Sequence, residues 1–267
     1  MGAVVAAASG VKVVKHGNRA ASSKCGTADL LRGVWDCLLI WSRSRLPKSA
    51  MSAASLSLSH VPSIRRCVSL VRFVPRWECP ACSSVLGPLT NPAAPKHMAV
   101  GCANRKMSPI MAEVYAANGQ TGMVYTSNED LDEMAPTGPV SIWEFKDGKV
   151  TENEFDPTVE LGLSKVTVAD LKGGEPELNA QLFRDFLAGK DVPFRTTALL
   201  NAASAIVADG HLVPTEASLA DRFKAAYAIA EETVDSGKAS ALLDQWIATA
   251  QSKKKCLIQD FLIDICQ

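Results

Sequence analysis

Apolar and polar positions along this chain predict a string of short strands and longer helices. Ala3 to Ser9 is small and apolar and reads as the last turns of a helix. Val11 to Val14 is a β-branched run of buried-strand type, followed by a loop rich in hydrogen-bond donors. His97 to Gly101 and Thr121 to Thr126 are two more strand-length runs, and Ser108 to Asn118 between them reads as a helix with Gly119 beyond its end. Val140 to Phe145 and Val150 to Phe155 alternate with period two around Asp147-Gly148, a hairpin signal. Glu177 to Ala188 is an amphipathic helix closed by Gly189. Thr197 to Ala208 is a mostly apolar helix expected to pack on the sheet. Ser218 with Asp221 has the spacing of a capping box and opens a helix to about Val234. After Ser236-Gly237 a last helix is expected over Lys238 to Ala250. These closing helices read as core.

One segment breaks the pattern. From about Gly33 to Ser84, Ser and Arg are dense and only Asp36 and Glu78 are acidic, and no sustained period runs through Pro47 to Ser69. By composition alone, a disordered, Ser-rich linker is one reading. It contains Trp35, Trp41 and Trp77 of the 5 Trp, and Cys37, Cys67, Cys79 and Cys82 of the 8 Cys.

Composition narrows the possible functions. At 267 residues, 47% of them apolar, the chain can bury a good core. Its 28 basic and 28 acidic residues cancel, which gives no support to a nucleic-acid or anionic-membrane partner. No apolar run approaches the length of a membrane span. Met1 to Gly10 lacks the basic start of a signal peptide, and cysteines without secretory context fit the cytoplasm.

Two stretches carry chemistry. The first runs from the strand through Lys15-His16-Gly17-Asn18-Arg19-Ala20-Ala21-Ser22-Ser23-Lys24-Cys25-Gly26-Thr27-Ala28-Asp29, with Thr27 as N-cap of a following helix. Backbone N–H groups, a helix N-terminus and the charges of Lys15, Arg19 and Lys24 suit an anion, though a solvated basic loop has the same composition. The second is Ser127-Asn128-Glu129-Asp130-Leu131-Asp132-Glu133-Met134. It sets four carboxylates within five positions at the C-terminal end of a strand, where open α/β sheets bind ligands. Adjacent carboxylates suit magnesium shared with phosphates, and a solvated acidic turn is the alternative.

The first stretch resembles the KHGNRAASSxxGSAD signature of the anthranilate phosphoribosyltransferases, with Cys25 and Thr27 in place of Ser. Asp132-Glu133 with Thr137-Gly138-Pro139 is similar to the family's DGLDE…TGPT. The His-Gly usually before it stands here as Thr126-Ser127. Val85-Leu86-Gly87-Pro88-Leu89-Thr90-Asn91-Pro92 resembles NLLGPLTNP, expected as a loop after a core strand.

The resemblance implies an α/β fold: a nucleoside-phosphorylase-like catalytic domain, a mixed sheet flanked by helices, with the family's N-terminal helical domain missing. It implies transfer of the phosphoribosyl group of phosphoribosyl pyrophosphate (PRPP) to anthranilate in tryptophan biosynthesis, with magnesium as cofactor. PRPP would be held by Lys15, His16, Gly17, Asn18, Arg19, Ala20, Ala21, Ser22, Ser23 and Thr27. Asn18 would also face anthranilate, Asp132 and Glu133 would hold magnesium, and Lys15 and Asn18 would carry catalysis. The family is homodimeric through its helical domain, so this chain's oligomeric state is left open and its solubility is expected to be poor.

The family pattern also explains the anomalous segment. Read from Val61 with the third base of each codon joined to the next two, the bases permit Phe-His-Pro-Ser-Met-Arg, Pro-Val-Arg and Leu-Gly-Val-Pro-Ser-Val-Phe, the Gly being forced by Trp77-Glu78. These resemble the family's HPxMR…PVRxxLG. They predict a frameshift opening near Leu31 to Trp35 and closing near Ser83 to Val85. The chain then divides into 1–32, 33–84, 85–251 and an unmatched tail, 252–267. In that tail Leu257 to Asp264 resembles the KDFLID strand of indole-3-glycerol-phosphate synthase. The family's anthranilate-binding Arg falls at Val74, with Arg72 two residues away, so impaired activity is expected. The alternatives are a degenerate fragment that at most binds PRPP with magnesium, and a zinc module on Cys79 and Cys82 with Cys67 and His60.

Overall fold

Alternation along the central strands sends apolar side chains to both faces of one sheet, and helices cover both. The computed structural model describes residues 1–16, 25, 55–58, 81–89, 91 and 93–265, and of 15–16, 55–58, 81–84 and 252–265 it describes the backbone alone. In chain order the elements are α1 (Gly2–Ala8), β1 (Val13–His16), β2 (Ser55–Leu58), α2 (Ala81–Leu89), β3 (His97–Gly101), α3 (Ser108–Ala117), β4 (Thr121–Thr126), β5 (Val140–Lys146), β6 (Lys149–Phe155), α4 (Pro157–Glu160), α5 (Pro176–Leu187), α6 (Arg195–Asp209), α7 (Leu219–Asp235) and α8 (Lys238–Ile265). Strands β3 to β6 form a four-stranded sheet in that order. The pair β3–β4 is parallel and the next two pairs are antiparallel. The sheet is mixed, as expected for the fold. Strands β1 and β2 pair separately and in parallel.

The two parities of the sheet define two cores. Met123, Tyr125, Val140, Ile142 and Phe155 face α1 and α5 to α8, where Val5, Phe186, Leu199, Phe223 and Leu243 meet them. Met98, Val100, Val124, Trp143 and Phe145 face the other way, onto Val85 of α2 and Met111, Ala112 and Tyr115 of α3. Helix α1 lies so close to α6 that a Cβ on Gly2 would come 2.9 Å from the Ala202 nitrogen. Across the first face, Arg222 of α7 grips Glu144 of β5 with both Nη atoms, at 2.7 and 2.9 Å.

Most predicted elements are present with their expected limits. The β5–β6 hairpin turns on Asp147 (φ 53°) and Gly148 (φ 75°), the two left-handed residues a tight hairpin requires. The Ser218 cap is present: its Oγ accepts from the Asp221 N–H at 3.1 Å and donates to the Asp221 carboxylate at 2.6 Å.

Four expectations are corrected. Strand β1 runs over Val13–His16 rather than Val11 to Val14, because its ladder with β2 continues to His16 opposite Leu58. A strand, β2, also exists within Pro47 to Ser69; its Ser-Leu-Ser-Leu alternation is too short to stand out. Gly87-Pro88 lies in the last turn of α2, not in a loop. Pro88 forfeits the bond its N–H would make, and burial of Val85 and Leu89 against the sheet offsets that loss. The tail continues α8 to Ile265 in place of a strand, since no Gly or Pro interrupts Lys238–Ile265. Among the described residues no helix is long and apolar enough to cross a membrane.

Candidate active site

The acidic turn is fastened to the C-terminal edge of the parallel pair. Strand β3 ends at Gly101, opposite Tyr125 of β4, and the turn begins two residues after Tyr125. Ser127 N–H donates to the Leu131 carbonyl at 3.1 Å, closing a small loop over a 3₁₀ turn, Asn128–Asp130. Within it Glu129 (φ 63°) and Asp130 (φ 55°) are left-handed, an uncommon conformation for side chains other than Gly, Asn or Asp. The chain then lies directly on β3: a Cβ on Gly101 would sit 1.7 Å from the Asp132 carbonyl oxygen.

Hydroxyls of the departing pair Thr126-Ser127 stitch the turn. Thr126 Oγ1 donates to the Cys102 carbonyl at 2.8 Å and lies 2.7 Å from Ser108 Oγ of α3. Ser127 Oγ donates to the Glu133 carbonyl and accepts from the Ala135 N–H at 3.1 Å. From the other side, Asn201 of α6 holds the next residue at both backbone groups. Its Nδ2 donates to the Met134 carbonyl and its Oδ1 accepts from the Met134 N–H, each at 3.1 Å. The same Oδ1 accepts from the Tyr125 hydroxyl at 3.0 Å, and Nδ2 also reaches the Thr197 carbonyl at 2.7 Å. Burial pushes the Tyr125 hydroxyl up to about 12, and the charges of Glu133 and Asp132 act in the same direction.

Asp132 and Glu133 are exposed while Met134 and Ala135 beside them are buried. The backbone there is fixed while both acidic residues reach solvent. Among the described residues no three or more His, Cys, Asp or Glu side chains are arranged to hold a metal. Two adjacent carboxylates nevertheless suit magnesium, which keeps much of its shell as water and phosphate oxygen. The donor set fits a cation completed by a phosphorylated substrate.

The described residues contain only part of the predicted site. Lys15 and His16 end β1, where the backbone alone is described. Gly17, Asn18, Arg19, Ala20, Ala21, Ser22, Ser23 and Thr27 lie outside the described residues. So do His60, Cys67, Arg72, Val74 and Cys79, while of Cys82, in α2, the backbone alone is described. Cys25 is half-buried and packs against the first core. Asn201 and the role of Ser127 were missed by sequence reasoning. The available signal was one amide in the otherwise small and apolar run from Ala198 to Ala208. A separate cleft of about 360 Å³, lined by Pro88, Leu89, Lys96, Met98, Tyr115 and Gln120, opens at the opposite, N-terminal end of β3 and β4.

Residues 1–240 match the glycosyl transferase family, a/b domain. The chain belongs to that family. Within it, similarity runs to anthranilate phosphoribosyltransferases. The one from Arthrobacter sp. (strain FB24) is 44% identical over 252 residues, covering 93% of this chain and 69% of that protein. The one from Thermobifida fusca (strain YX) is 39% identical over 267 residues, covering 96% and 72%. The crystal structure of the Thermus thermophilus enzyme superposes with a TM-score of 0.74 at 31% identity, covering 94% of this chain and 72% of that one. The Saccharomyces cerevisiae enzyme, solved in complex with PRPP and Mg, shares the fold at a TM-score of 0.75 and 23% identity, over 94% and 69% of the two chains.

Proposed function

We propose that this chain is built for transfer of the phosphoribosyl group of PRPP to the amine of anthranilate, with release of pyrophosphate, and that as written it binds PRPP with magnesium better than it turns it over. The observation that carries the reading is the pair Asp132-Glu133, fixed by its backbone at the ligand-binding edge of a parallel strand pair, in a chain matching the family over residues 1–240.

The reaction moves the anomeric carbon of the ribose from a pyrophosphate oxygen to an amine nitrogen. Positive charge builds on the ring and negative charge on the leaving group, so positioning and anion stabilisation matter more than a strong base. Asp132 and Glu133 would hold magnesium, which when bound supplies positive charge to the pyrophosphate oxygens. Lys15 would add a second positive charge there. Backbone and hydroxyl donors of His16 to Ser23 and Thr27 would cradle the phosphates, and Asn18 would also orient anthranilate.

The reading divides the chain into 1–32, a frameshifted 33–84, 85–251 and the tail 252–267. Val74 in place of the family's anthranilate-binding Arg leaves the substrate carboxylate without its cation, a loss of about 2–5 kcal/mol for a buried charge pair. Impaired turnover follows. The buried thiol of Cys102 suits a reducing cytoplasm.

Calorimetric titration of the 267-residue chain with PRPP, with and without magnesium, tests the reading. Binding that requires magnesium, weakened about tenfold or more in the double variant D132N/E133Q, is expected, together with negligible consumption of anthranilate. Magnesium-independent or absent binding of PRPP would overturn the functional reading, and appreciable turnover would overturn the impairment. Resequencing codons 25 to 90 tests the frameshift. A corrected frame should restore the Arg and with it turnover.

A further inference from the structure

We infer that Asn201, in the helix α6 that otherwise reads as core, is a positioning residue for the magnesium carboxylates. The inference rests on Asp132 and Glu133 serving that role. Asn201 spends both ends of its amide on Met134, the residue after Glu133: Oδ1 takes the N–H and Nδ2 gives to the carbonyl, each at 3.1 Å. A side-chain amide bonded to both backbone groups of one residue fixes the peptide units on either side of it, which a single bond does not. On either side of Met134 in the chain, Ser127 Oγ donates to the Glu133 carbonyl and accepts from the Ala135 N–H. Asn201 and Ser127 together therefore hold the main chain at 133, 134 and 135, while Gly101 leaves room for Asp132.

The amide is itself held. The Tyr125 hydroxyl donates to Oδ1 at 3.0 Å, and Nδ2 reaches the Thr197 carbonyl, one turn back in α6, at 2.7 Å. These bonds settle which end of the amide is oxygen, because Oδ1 faces two donors and Nδ2 two acceptors. An aspartate there keeps the acceptor half and loses the donor half. Outer partners that orient metal-binding groups typically carry about 10–100-fold in metal affinity.

The test is manganese binding in the presence of PRPP, read by electron paramagnetic resonance on the full chain, with the melting temperature taken in parallel. Asn201→Ala should weaken manganese binding about tenfold or more. Asn201→Asp should weaken it by a smaller factor and supplies a folded variant if the alanine chain does not fold. Tyr125→Phe also removes one bond to Asn201 and lowers the melting temperature, yet should leave manganese binding within about twofold, since both bonds to Met134 remain. D132N/E133Q should abolish binding. Loss in the acid variant with binding unchanged in both Asn201 variants would overturn the positioning role alone. So would an equal loss in Tyr125→Phe, which would mark Asn201 as merely structural. An acid variant that binds as the parent does, or a parent that binds no manganese, would overturn the magnesium reading and this inference with it.

Discussion

Single side chains in this fold matter chiefly through whether their polar atoms are matched. Asn201 has every polar atom engaged, whereas Thr197, one turn earlier and buried, has a hydroxyl with no partner among the described residues. Replacing that hydroxyl with a methyl of the same shape removes an unmet hydrogen-bonding group at no packing cost. Thr197→Val should raise stability by about 1 kcal/mol, seen as a higher denaturation midpoint with an unchanged denaturant slope. Ser218 is the opposite case. Its Oγ accepts from the Asp221 N–H at the start of α7, so Ser218→Ala should cost about 1 kcal/mol in the same measurement.

Elements hold together through a few cross-links as well as through apolar burial. Arg222 and Glu144 join α7 to β5 by two parallel bonds, with the side chains only 16% and 24% exposed. Salt screens such a pair less than a surface contact. Arg222→Ala, which leaves the half-buried Glu144 carboxylate with the Asn153 amide but no cation, should destabilise by about 2–3 kcal/mol, and Arg222→Lys should recover only part of it because the paired geometry is lost. Chemical denaturation of the three chains checks both.

At this scale the sequence was most informative where period and punctuation agreed. The hairpin at Asp147-Gly148, the helix closed by Gly119 and the helix cap at Ser218 could all be read because turn chemistry marks their limits. Four-residue β2 escaped because two Ser-Leu repeats do not make a period. Helix α2 escaped because a Gly-Pro pair is the usual sign of a turn, and tertiary burial of Val85 overrode it. Of the proposed site, Asp132 and Glu133 are named by their motif alone. The partners that aim them could not be named so, because Asn201 meets Met134 across 67 positions of chain.

At the level of the whole fold, two separate cores share one sheet among the described residues. Phe145 stacks on Tyr115 at 5.3 Å on one face, and Phe155 stacks on Phe223 at 4.5 Å on the other. Both phenylalanines are fully buried. Because β5 and β6 contribute to both faces, losing either core loosens the strands that order the other. Phe145→Ala and Phe155→Ala should each cost about 3–5 kcal/mol, and each chain should melt in one transition by calorimetry. Two transitions in either would mean that the faces fold independently.

The contact beneath Asp132 has a consequence for how this site can be lost. Gly101 belongs to β3, far in sequence from any carboxylate of the pair, yet its missing side chain is the space in which the acidic turn rests. Any heavier residue at 101 must evict the turn or bend the strand. A Gly101→Ala chain would keep every acid and still fail to present them, so a survey confined to the acidic positions would pass it as intact. The integrity of the acid pair is thus partly recorded at a position with no chemistry of its own.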